Sequence, residues 1–315
     1  MPILAVQRRA GAALRAKVAG DDAAEQARLI WGVRGERWFG VDDAIWQVHR
    51  DASMFVGGIA ALLVQSLQPM AMAGVAGHSG YKSDPWGRLQ RTSRYLAVTT
   101  YGVVPDAEDV IDRVRSVHAR VRGKDERGRP YRADDPHLLT WVHLAEVRCF
   151  LDAHQAFGAQ PLPPDRADEY VEQTGRVAAR LGVPDPPATV ADLQTRLSAY
   201  RPELEATPAA RDAARFLLLH PPLSFAARPG YGMLAAGALS LLEPWELAEL
   251  GVRLPVGLTR GVGRPVGKVA ARTVRWALSG VDDERVPPPS PESGSPDAGP
   301  SDTRPPDAGP SQPGV

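Results

Sequence analysis

From about residue 40 to residue 280 the apolar side chains recur at intervals of three and four, and runs that alternate in steps of two are few. That spacing lines one side of an α-helix, whose 3.6-residue period brings side chains back to the same face, and it cannot fill one face of a strand. The start and stop residues agree. Asp84-Pro85 and Asp135-Pro136 pair an N-cap with a proline at the first helical position, Thr189 and Thr207 are further caps, and Gly102 and Gly158 are stops. The pattern predicts helices over about 53–67 (capped by Asp51 or Ser53), 84–100, 106–123, 136–158, 165–181, 190–199, 208–219, 231–242, 245–250 and 260–278. The charged stretch GKDERGRPYRADD, residues 123–135, reads as a loop or a short hairpin about Gly128. The expected class is all-α, a globin-like irregular helical bundle. Residues 1–24 are an N-terminal extension, 25–282 the helical domain and 283–315 a tail.

Composition narrows the function. With 43% hydrophobic residues in 315, the chain can bury a sizeable core, whereas the last stretch, PPPSPESGSPDAGPSDTRPPDAGPSQPGV, holds ten prolines and repeats PDAGPS. Such a segment has almost no apolar surface to offset the entropy of ordering and is expected to be disordered. Lys plus Arg equals Asp plus Glu at 37 each, which argues against nucleic acid as a partner. Cys149 is the single cysteine, so neither an intramolecular disulfide nor a CxxC metal site is available, and a reducing cytoplasm is the expected compartment. The first twenty residues lack the order of a secretory signal, and the longest apolar run, Met54 to Val64, is too short for an integral membrane segment.

Two groups of residues carry chemistry. In the helix that begins at Pro136, Leu139, Val142, His143, Val147, Phe150 and Leu151 share one broad face, so the imidazole of His143 points inward. An inward histidine is either a hydrogen-bonded core residue or a metal ligand. In SDPWGRLQRTSRYLAVTTYG, Arg88, Arg91, Thr92 and Tyr95 stand at i, i+3, i+4 and i+7, which puts two guanidiniums, a hydroxyl and a phenol on one stripe. The bland reading is a solvated face; the chemical one is an anion or carboxylate site. Upstream, SLQPMAMAGVAGHSGY places His78 in an expected loop, after small residues that permit close backbone approach, and Met54, Phe55, Met70 and Met72 form a possible apolar wall or plain core. Glu-x-x-His, HExxH, GxSxG and phosphate-loop patterns are absent, and GLTRGVGRPVG at 257–267 reads as the entry to the last helix.

The stretch from DDAIWQVHRDASMF to TTYG, then RPYRADDPHLLTWVHLAEV, and later YRPEL, resembles the family of the latex clearing protein (a rubber oxygenase) and the mpaB-type oxygenases of meroterpenoid biosynthesis. The likeness covers roughly residues 25–255. It implies a globin-like helical domain with one non-covalent haem b, whose iron is held by a proximal histidine, and WVHLAEVR puts that role on His143. RLQRT resembles the family's distal stretch, which places Arg88 and Thr92 in the distal or propionate environment, with Tyr95 on the same stripe. Arg91 stands where the rubber enzyme has a lysine; an arginine does not give up its proton, so ligation from that side is excluded. The acidic distal residue of the rubber enzyme has no clear counterpart, and His78 is offered in its place. The implied chemistry is cleavage or hydroxylation of a small apolar molecule, isoprenoid or polyketide, by dioxygen, with an unidentified electron donor. Two other readings stand beside it: a gas-binding or gas-sensing haem protein, and a metal-free helical interaction protein.

Overall fold

A computed structural model describes residues 2–20 and 23–281. The proline-rich tail expected to be disordered lies outside the described residues. Within them the chain forms fourteen helices and one two-stranded hairpin, which bears out the all-α expectation. In order they are α1 (Pro2–Ala19), α2 (Ala23–Trp31), α3 (Ala44–His49), α4 (Met54–Gln65), α5 (Pro69–His78), α6 (Pro85–Tyr101) and α7 (Val104–His118). The hairpin follows, β1 (Arg122–Lys124) and β2 (Pro130–Arg132), then α8 (Pro136–Phe157), α9 (Pro164–Leu181), α10 (Val190–Tyr200), α11 (Pro208–Leu219), α12 (Arg228–Leu239), α13 (Pro244–Glu249) and α14 (Val256–Ser279).

The caps work as the sequence suggests. Asp84 accepts from the Gly87 amide at the start of α6, Asp135 from His137 in α8, Thr189 from Asp192 in α10 and Thr207 from Ala210 in α11; each satisfies an amide the helix leaves unpaired. Four local expectations are corrected. Residues 69–78, which carry His78, form α5 and not a loop, because Gln68 caps the amides of Met70 and Ala71 ahead of Pro69. Helix α7 begins at Val104, where Pro105 suits the first turn, and ends at His118, five residues before Gly123. Gly123 instead pairs with Tyr131 across the hairpin, where a Cβ would lie 2.5 Å from the Tyr131 hydroxyl. The glycines of 257–267 sit inside α14, not ahead of it.

Those glycines set the packing. A Cβ on Gly267 would lie 2.7 Å from the Cα of Gly237, so α12 and α14 touch backbone to backbone. Gly57 similarly lets α4 press on Cys149, Phe150 and Ala153 of α8. Because Gln65 at the far end of α4 bonds the Val142 carbonyl near the start of α8, the two run antiparallel. These four helices supply about half of the main buried core, with Trp141, Leu144, Phe157 and Leu63 fully buried. Helix α1 lies along α14 and α6. Helix α6 packs on α1, α2, α3 and α7 and makes little direct contact with α8, so the two helices that carry the residues of interest stand apart. Among the described residues no single helix is long and apolar enough to cross a membrane; α4 and α5, the most apolar consecutive pair, meet at 107°.

Candidate functional site: a slot between two helices

His143 and Glu146, one turn apart on α8, are only half-buried by area, yet burial moves both strongly. It pushes the His143 imidazole down to about 4, with the charge of Arg196 on α10 adding to the effect, and raises the Glu146 carboxyl to about 7 against the lowering influence of a Gln65 hydrogen bond. Both keep some accessible surface while enough protein surrounds them to disfavour their charged forms, and this partly accessible region beside α8 is termed the slot. Across the slot on α6 is Tyr95, whose phenol is raised by burial and by the charge of Glu146. On the α4 side Gly58 has open space where a side chain would project, Leu62 one turn on is exposed, and so is Val142 of α8.

Three histidines among the described residues have a buried ring nitrogen without a hydrogen-bond partner: His118, His143 and His154. His118 ends α7 in the field of Asp134. His154 is 1% exposed, closed in by Gly158 and close to the charges of Asp51 and Arg275. His143 combines an unpartnered, buried Nε2 with a partly accessible ring. Being neutral above about pH 4, it offers the lone pair a metal needs. By contrast His49, pushed down to about 3 by burial, is held by Thr100 at 2.8 Å and Tyr170 at 3.3 Å.

Arg88 is half-buried, its pKa lowered by burial, and its guanidinium donates to Ser79 Oγ at 3.2 Å. It has no carboxylate partner among the described residues, and neither has the half-buried Arg196. Arg91 is exposed and pairs at 3.2 Å with Asp84, the cap of its own helix. Thr92 is exposed on α6, and His78 is exposed at the end of α5, its Nδ1 3.3 Å from the Tyr131 hydroxyl. Met72 is core, while Met54, Phe55 and Met70 are half-buried.

No group of three or more His, Cys, Asp or Glu among the described residues can hold a bare metal ion. A lone imidazole with a free nitrogen suits a metal whose other ligands come from a macrocycle, and two unpaired guanidiniums suit its propionates. His143, with the charge of Arg196 acting on it, therefore suits a haem iron, while Arg88 lies beside Ser79. In the sequence Glu146 stands out only as the reversed order of a Glu-x-x-His pair with His143, and Arg196 not at all.

Residues 46–276 match the family described as ER-bound oxygenase mpaB/B'/Rubber oxygenase, catalytic domain. The chain belongs to this family. The mpaB/rubber oxygenase match begins in α3 and ends in α14, so it takes in the whole slot. Among curated proteins the chain is similar to an uncharacterized protein of Mycobacterium bovis and one of Mycobacterium tuberculosis. Each is 34% identical over 110 residues, which is 34% of this chain and 43% of the relative's length. No solved structure matches the chain.

Proposed function

We propose that this protein is a haem b-dependent oxygenase that uses dioxygen to cleave or hydroxylate a small apolar molecule of isoprenoid or polyketide type. Membership of an oxygenase family supports the reaction class. Haem dependence rests on one observation above others, the neutral His143 with a buried and unpartnered Nε2 on the slot wall. His143 would hold the iron, and Arg88 and Arg196 would neutralise the two propionates. A haem held there supplies the dioxygen chemistry.

The chain's own residues do the rest. Arg88 presents a charged donor with no carboxylate partner among the described residues, while Thr92 and Arg91 stand nearer the surface on the same helix. Glu146, raised to about 7, exchanges a proton at its carboxyl near neutral pH. Gly58, Leu62 and Val142 expose apolar surface on α4 and α8, where a hydrocarbon chain would lose its water without stranding a polar group.

The test is oxygen uptake by the haem-loaded, reduced protein offered a panel of isoprenoid and polyketide compounds, with labelled dioxygen traced into the product. Substrate-dependent uptake with label incorporated is expected. Arg88→Ala should retain haem and lose at least about tenfold in turnover, the scale of one lost charged hydrogen bond. Uptake that no apolar compound accelerates would contradict an oxygenase role and leave a gas-binding one.

A further inference from the structure

The connection between α11 and α12 exposes apolar side chains to an unusual degree. Leu219, which ends α11, is 68% exposed and Phe225 is 86% exposed. No other large apolar side chain among those described reaches these values; the next, Leu4 and Val6, stand at 59%. Chance does not place both on a floppy tip. Pro221, Pro222 and Pro229 restrict the backbone, Leu223 N donates to Pro221 O at 2.7 Å, and residues 225–227 form a 3₁₀ turn closed by a bond from Ala227 N to Ser224 O.

Charge in this region is mainly positive. From Ala213 to Leu242 the charged residues are Arg215 and Arg228, and Asp212, one turn before Arg215 and close enough to act on it, is already paired with Lys82. Both arginines are exposed and without an ion pair among the described residues. Leu217 and Leu218 pack inward on the core, so Leu219 is left facing out. An ordered elbow that projects a leucine and a phenylalanine between arginines matches a lipid surface: the apolar side chains enter the acyl boundary and the guanidiniums meet anionic headgroups. Phe216 of α11 makes an edge contact with Tyr81, in the connection between α5 and α6, at 6.2 Å.

We infer that the α11–α12 elbow, with Leu219 and Phe225 as its apolar tips and Arg215 and Arg228 as its charged rim, docks this protein on an anionic bilayer surface. Docking would bring an apolar substrate to the slot, a benefit that rests on the proposed oxygenase function; the docking itself does not depend on haem or turnover. The test is co-sedimentation of the full chain with phosphatidylcholine vesicles, with and without phosphatidylglycerol. The chain should pellet with the anionic vesicles and be released by salt. The double substitution Leu219→Asp and Phe225→Asp should weaken binding at least about tenfold, the expected scale for losing burial of one or two large apolar side chains. Circular dichroism checks its fold, and Arg215→Gln with Arg228→Gln, which touch no core residue, should reduce binding to anionic vesicles alone.

A second readout places the tip itself. Cys149 is buried, so a polarity-sensitive dye on Phe225→Cys labels the elbow selectively, and its emission should shift to the blue when anionic vesicles are added. The inference is overturned if the wild-type chain stays in the supernatant, if the aspartate variant pellets as well as wild type, or if the dye shifts only as the chain associates with its own copies.

Discussion

Burial moves His143 and Glu146 in opposite directions, down to about 4 and up to about 7, so between those pH values both are neutral. For Glu146 the folded state binds a proton more tightly than the unfolded chain, whose carboxyl titrates at its ordinary 4.5. Stability then falls as pH rises from about 4.5 through about 7, since the unfolded state binds fewer protons in that window. Glu146→Gln removes the term. Its advantage over wild type in urea unfolding should be near zero at pH 4.5 and about 1–2 kcal/mol at pH 8, after a discount for the accessible edge of the carboxyl. An advantage that does not change with pH would mean that Glu146 is ionised throughout. His143, Arg88 and Tyr95 were legible in the sequence because helical spacing fixes which residues of one helix share a face. Glu146 and Arg196 were not, because their character comes from α4, α6 and α10 closing round them, and a single helix carries no record of that.

At the scale of elements, α8 is anchored to α13 by Arg148, which meets Glu246 with two bonds of 2.7 and 2.9 Å. Glu246 is fully buried and also accepts from the Glu243 amide to close the capping box of α13. Arg148→Met would strand that carboxylate and should cost about 3 kcal/mol in denaturant unfolding. Adding Glu246→Gln, which keeps the cap but removes the charge, should restore most of the loss; no recovery would mean that the arginine contributes packing and not charge compensation. The α12–α14 contact makes a separate prediction. Gly267→Ala sets a methyl 2.7 Å from Gly237 Cα and 2.9 Å from the Phe157 ring, and should lower stability by about 1–3 kcal/mol, whereas Gly261→Ala, with open space around it, should be neutral or slightly stabilising. Helix limits followed from caps and prolines wherever a capping side chain stood next to the helix. They failed at α5, where Gln68 does the capping, and at α14, whose glycines serve a neighbouring helix instead of ending their own.

For the whole molecule, the helical class was legible and the arrangement was not. Spacing tells a helix which face to bury but not against which partner, so the separation of α6 from α8, the feature that makes the slot, had no counterpart in the periodicity. The most direct measurement is a haem titration followed by absorption, with wild type, His143→Ala and His154→Ala in parallel. Saturable binding at one haem per chain with a sharp Soret band is expected in wild type and in His154→Ala, and loss of that band in a folded His143→Ala protein. A His143→Ala variant that takes up haem with the wild-type spectrum and affinity, or a wild type that takes up none, would contradict the proposed haem site.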